Sequence, residues 1–190
     1  MIRPRGSDFC YSDLEIEQMK QDMLVAKELG ADGFVLGILE ENGRVNDEQT
    51  KSFVEIAHPL PVTFHRAIDM TPDYLQALEE VIEAGCTRIL TSGQKNLAEE
   101  GAENLKALIQ QADGRIEVMI GSGVNVRNAL KLADLGPNAL HFTGKSTRDS
   151  AMEYRKEDIA MGGLSEVPEY GVMYSNVEKI RAVVELFKTT

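Results

Sequence analysis

The sequence predicts an α/β fold made of parallel strands, each followed by a helix. Short apolar runs alternate along the chain with amphipathic helical stripes. Glu28-Leu-Gly30, Glu83-Ala-Gly85 and Asp134-Leu-Gly136 each end a helix shortly before a strand, so the pattern repeats. Each of those strands then meets a glycine, namely Gly37, Gly93 or Gly144, and Gly114 with Gly121 form a looser copy. Counting Met1–Arg3 as a strand gives six βα units. Six units can form an open doubly wound sheet or most of an eight-unit barrel. The missing G-x-G-x-x-G after an early strand counts against a dinucleotide-binding open sheet.

Each element has local support. Ser12-Asp-Leu-Glu15 has capping-box spacing, and Ile16, Met19, Met23 and Ala26 then recur at helical intervals up to the stop at Gly30. Gly33–Ile38 reads as a buried strand. Asn46 can cap a helix carrying Phe53, Val54 and Ala57, which Pro59 and Pro61 end. The run Val62-Thr-Phe64 is the next strand, and Thr71-Pro-Asp73 opens a helix with Pro72 at its first position. Leu75, Leu78 and Ile82 form its stripe, and Thr87–Leu90 is a strand. Ala98, Ala102, Leu105, Ile109 and Ala112 mark a longer helix interrupted at Gly101, followed by the strand Ile116–Ile120. Val126, Ala129, Leu130 and Ala133 predict a helix stopped by Gly136-Pro137, and Ala139–Phe142 is the last strand. Thr143 to Tyr174 is polar and weakly periodic, hence mostly loop. Ser175-Asn-Val-Glu178 has capping-box spacing before a final helix with Val177, Ile180, Val184 and Phe187.

The chain of 190 residues is expected to be one domain, 1–190, with enough length to bury a core. A net charge of −11 argues against nucleic acid or an anionic membrane surface as the main partner, although a local basic cluster can still take a small anion. Cys10 and Cys86 are the only cysteines, no secretory signal is present, and the cytoplasm is the expected location. The apolar runs are far shorter than a membrane span.

Four stretches carry a family resemblance: Ile2-Arg-Pro-Arg-Gly-Ser-Asp-Phe-Cys-Tyr-Ser12, Val62-Thr-Phe-His-Arg-Ala-Ile-Asp69, Ile89-Leu-Thr-Ser-Gly-Gln94 and Leu140-His-Phe-Thr-Gly144. Together they resemble the copper homeostasis protein CutC family. The resemblance implies a cytoplasmic, often oligomeric (β/α)8 TIM-type barrel. It also implies that roughly two βα units of the family barrel precede Met1, leaving an incomplete barrel of six units with open edges that pair with another copy.

In such a barrel the carboxyl ends of the strands form the working face. His65, Arg66 and Asp69 follow one strand directly, and His65 is the candidate general acid–base with Asp69 as its orienting partner. Asp8 is the alternative carboxylate. The same residues also fit a structural Arg–Asp pair beside a hydrogen-bonded His. Arg3, Arg5, Ser92, Gly93 and His141 complete the ring, and Gly121-Ser122-Gly123 with Lys145 occupies the place where this fold binds phosphate. The family name points to copper, for which Cys10 is the one cysteine inside a family motif. Two readings follow. One is a copper homeostasis protein that binds copper. The other is a barrel enzyme acting on a small anionic or phosphorylated metabolite.

Overall fold

The structure, a computed structural model, describes residues 1–156, 158–159 and 168–188. The chain expected to form one domain divides into two compact units, one of Met1–Val124 with Asn128–Phe142 and one of Asn125–Arg127 with the chain from Thr143 onward.

In the first unit the order is α1 (Asp13–Glu28), β1 (Phe34–Leu36), α2 (Asp47–Ala57), β2 (Val62–Phe64), α3 (Tyr74–Glu83), β3 (Arg88–Thr91), α4 (Ala102–Ala112), β4 (Glu117–Gly121), α5 (Ala129–Ala133) and β5 (Ala139–His141). The five strands pair in sequence order, β1-β2-β3-β4-β5, and every pairing is parallel. A doubly wound sheet reverses its strand order at a switch point, whereas this order runs one way, as in a singly wound (β/α) barrel. The incomplete TIM-type barrel expected from the sequence is therefore the architecture found. Met1–Arg3 is not a sixth strand. It runs beside β1 instead, where the Ile2 N–H donates to the Val35 carbonyl at 2.8 Å.

Local chemistry explains most helix ends. Ser12 and Glu15 close the capping box of α1, and Asn46 accepts from the Gln49 N–H to cap α2. Lys27 reaches from α1 to the open carbonyls at the end of α2, at 2.8 Å from Ile56 and 2.6 Å from His58. The N-cap of α3 is Asp73, so Pro72 lies before the helix and not at its first position. The Asp73 carboxylate satisfies two N–H groups at once, those of Leu75 and Gln76. Gly101 starts α4 instead of interrupting it. Between β2 and α3 the sequence forms a 3-10 turn, Arg66–Met70, with His65 as its cap. Met19, Met23, Phe53, Phe64, Leu36, Ile68 and Leu78 are fully buried in one hydrophobic core. Thus Met19 and Met23 are core residues.

Two expectations near the end of the chain are corrected. Lys145–Asp149 (β6) and Gly171–Ser175 (β7) form an antiparallel hairpin where a loop was expected. The stretches of that expected loop at 157 and 160–167 lie outside the described residues. Ser175 belongs to β7, and Asn176 caps α6 (Val177–Leu186) by accepting from Glu178 and Lys179. The buried residue of α6 is Val183, while Val177, Ile180, Val184 and Phe187 stay exposed. Likewise α5 is short, and Val126 and Leu130 are exposed.

Candidate functional site at the carboxyl ends of the strands

Arg66 and Asp69 form one closed bracket. The Arg66 Nε donates to Asp69 Oδ2 at 2.7 Å, and its Nη2 donates to the Ser92 hydroxyl at 2.7 Å and the Lys95 carbonyl at 3.1 Å. Asp69 also accepts from the Thr91 hydroxyl at 2.6 Å and from the backbone N–H groups of Ser92 and Gln94 at 3.0 and 3.1 Å. Its side chain is only 5% exposed, so the loop after β2 is bolted to the loop after β3 through a fully engaged carboxylate. This is the structural Arg–Asp pair. Asp69 is not the orienting partner of His65.

His65 is organised by the backbone. Its Nδ1 accepts from the Ala67 N–H at 3.2 Å, and its own N–H donates to the Leu36 carbonyl at 2.7 Å. With Nδ1 acting as acceptor, the proton of the neutral ring sits on Nε2. That Nε2 is buried and has no protein partner. Burial first, and the charge of Arg3 next, push the imidazole down to about 4. At neutral pH His65 is therefore a neutral ring whose Nδ1 is held by the Ala67 N–H and whose Nε2–H can donate. Gly37 makes room for it. A Cβ at position 37 would lie 2.4 Å from His65 Nδ1 and 2.5 Å from Cε1.

The first loop packs against this ring. Leu39 donates its N–H to the Phe9 carbonyl at 2.9 Å, which holds the loop beside the end of β1. Phe9 lies 4.9 Å from the His65 ring, centre to centre, and the Arg3 guanidinium stacks on Phe9 at 4.7 Å. Arg3 Nη2 donates to the Ser7 carbonyl at 2.7 Å, but its buried Nε has no protein partner. The same holds for the Tyr11 hydroxyl. Burial pushes that phenol up, and the neighbouring Arg3 and Arg5 charges act against the shift. Sequence reasoning missed Tyr11, Phe9 and the role of Gly37. Tyr11 lay inside the Ile2–Ser12 motif, and two aromatic residues flanking Cys10 among arginines were the available signal.

Several other candidates have structural work. Arg5 pairs with Glu15 at 2.6 Å and Asp8 at 3.0 Å and donates to the Cys10 carbonyl at 2.8 Å, so it ties the loop to α1. Its guanidinium holds the exposed Asp8 carboxyl below the usual carboxylate range. Ser92 is fully buried within the Asp69 bracket. Gly93 and Gly101 permit a close backbone crossing, since a Cβ on Gly101 would lie 2.0 Å from the Ser92 oxygen. The loop Gly121-Ser122-Gly123 is docked on its neighbour. Ser122 donates to the Asn96 carbonyl at 2.6 Å, and a Cβ on Gly123 would meet Leu97 at 2.7 Å. The helix behind it, α5, has only five residues and no side-chain cap. His141 ends β5 in register with Gly121 and is exposed. Lys145 lies on β6 of the second unit, in a strand and not in a loop.

Metal-binding chemistry is sparse. Cys10 is a free, half-buried thiol, and burial pushes the Cys86 thiol up to about 12, which leaves it protonated and inert. Among the described residues no group of three or more His, Cys, Asp or Glu side chains is placed to hold a metal ion. Cu(I) favours several soft ligands, and of these the first loop supplies one, the Cys10 thiol. A cavity of about 480 Å³ opens at the amino ends of the strands, lined by Asp32, Thr63, Thr87, Arg88 and Glu117. Arg88 and Glu117 form an ion pair there, and that end of a barrel serves stability.

A parallel (β/α) arc with its polar groups at the strand exits defines a protein of the TIM-barrel class. Mandelate oxidase, at TM-score 0.52 and 18% identity over 70% of this chain and 46% of its own, shares the fold alone. The CutC family pattern matches residues 1–146, and the chain belongs to the CutC family. The human copper homeostasis protein cutC homolog is 46% identical over 189 residues, covering 99% of this chain and 69% of its own length. The CutC family protein of Bacteroides fragilis is 42% identical over 186 residues, covering 97% of this chain and 74% of its own. The crystal structure of CutC from Streptococcus agalactiae has TM-score 0.70 and 37% identity, over 74% of this chain and 69% of that one. Among the described residues no helix is long and apolar enough to cross a membrane.

Proposed function

We propose that this CutC-family chain serves copper homeostasis from the cytoplasm by holding a small anionic metabolite at the carboxyl ends of its strands. The observation that carries this reading is the imbalance of polar groups there. Asp8 and Asp69 are both ion-paired, whereas Arg3 and His65 each keep a buried nitrogen without a protein partner. A site whose carboxylates are neutralised and whose donors are in surplus takes an acceptor, and beside a guanidinium that acceptor is an anion. His65 would polarise the ligand as a neutral donor. The overall acidity of the chain argues against nucleic acid as the partner. Calorimetric titration with a panel of phosphate- and carboxylate-bearing metabolites tests the reading. Saturable binding that Arg3→Ala abolishes is expected, and a panel that gives no binding would sink it.

Direct copper binding is the second reading, favoured by the free Cys10 thiol in the same loop. Copper(I) titration of the wild type against Cys10→Ala separates the two, because an unchanged affinity removes Cys10 from any copper site. Homo-oligomerisation is a further part of the proposal. It is supported by β5, which ends the sheet order of the first unit, and light scattering at two concentrations tests it.

A further inference from the structure

Three buried polar atoms without protein partners gather in one place: Arg3 Nε, the Tyr11 hydroxyl and His65 Nε2. Phe9 links two of them, since the Arg3 guanidinium stacks on its ring at 4.7 Å and the His65 ring lies 4.9 Å away, while the charge of Arg3 acts on both His65 and Tyr11. Unpaired buried polar groups are costly and rare, and a cluster of three asks for an occupant. All three are donors: Arg3 Nε–H by its nature, His65 Nε2–H because Nδ1 is the acceptor of the Ala67 N–H, and Tyr11 through its O–H.

We propose that this cluster is a carboxylate pocket, in which Arg3 Nε–H, the Tyr11 O–H and His65 Nε2–H bind the carboxylate end of a small organic acid. The proposal rests on the anion reading above and narrows it to one class of ligand. One guanidinium balances one negative charge. A phosphate dianion would leave a second charge uncompensated in a buried place, whereas a carboxylate leaves none. Phe9 and the Tyr11 ring, which pack against the apolar core, offer the organic body of an acid an apolar contact that a fully hydrated inorganic ion cannot use. Water is the other occupant that three donors accept, and a carboxylate displaces it.

Acetate and inorganic phosphate are the probes, titrated separately into the wild type, Tyr11→Phe and Arg3→Lys. The side-chain nitrogen resonances of His65 are followed in the wild type. Saturable acetate binding is expected, weakened about tenfold in Tyr11→Phe and in Arg3→Lys, which keeps the charge but lacks Nε–H. The His65 Nε2 resonance is expected to shift with acetate. Acetate binding that is indifferent to Tyr11→Phe, or a His65 resonance that acetate does not move, overturns the pocket. Phosphate binding without acetate binding overturns the pocket and leaves the anion reading standing. Neither probe binding, together with a silent metabolite panel, overturns both. Tyr11→Phe keeps the ring that packs on the core, and the wild-type resonance needs no variant at all, so a folding failure cannot hide the answer.

Discussion

Two arginine-bearing loops lie at the carboxyl end of the same sheet and treat their polar groups in opposite ways. After β2, Arg66 and Asp69 are closed into a bracket with Thr91, Ser92 and Gln94, and the buried carboxylate meets donors on every side. In the first loop and the histidine packed against it, three buried polar atoms, on Arg3, Tyr11 and His65, are left without protein partners. One loop converts polar chemistry into rigidity. The other keeps it available for a ligand. A charged triad at a strand exit is thus poor evidence of chemistry by itself, and the state of its hydrogen bonds decides.

Asp69→Ala should have the largest effect, since it strands the Thr91 hydroxyl and the backbone N–H groups of Ser92 and Gln94 and leaves Arg66 uncompensated. A loss of about 3–5 kcal/mol in urea unfolding is expected, and a loss below about 1 kcal/mol would mean the bracket is not structural. Next comes the pH dependence carried by His65. Its ring is near 4 when folded against an ordinary 6.5, so the unfolded chain takes up the proton first. The contribution is complete above pH 6.5 and is lost as pH falls from 6.5 toward 4, amounting to about 3 kcal/mol. The difference between wild type and His65→Gln across that window measures it, and parallel curves would refute it. Gly37→Ala should cost about 1–3 kcal/mol by driving a Cβ into the imidazole, and it should shift the His65 ring resonances as well. Smallest is Tyr11→Phe, expected to change stability by no more than about 0.5 kcal/mol or to raise it, because it removes a buried hydroxyl that has no partner. A large loss there would show that the hydroxyl already has a structural role and that the contrast between the two loops is false.

What the sequence reveals about this molecule divides along the same line. The capping box at Ser12, the cap at Asn46 and the glycine stops are read directly, because each acts within one helical turn. Strand order followed from the βα alternation and the family motifs. The hairpin of β6 and β7 was hidden because its strands are mostly exposed and Lys145–Asp149 carries almost no apolar alternation. Asp69 lies four positions after His65, which suggests a pair, but apart from Arg66 its partners come from the next βα unit, more than twenty residues on. Tyr11 escaped notice because a missing hydrogen bond leaves no mark in a sequence. Pro72 misled for a smaller reason, since the adjacent Asp73 is the better cap.

The contact between Gly37 and His65 also bears on how relatives diverge. With 2.4 Å between a hypothetical Cβ and the imidazole, the two positions are not free to drift separately. A lineage that gains a side chain at 37 must shrink or reorient the residue at 65, and one that loses the histidine no longer needs the glycine. The pair should therefore change together or not at all, which makes position 37, remote from any ionisable chemistry of its own, a sequence marker for whether a homologue has kept the donor at 65.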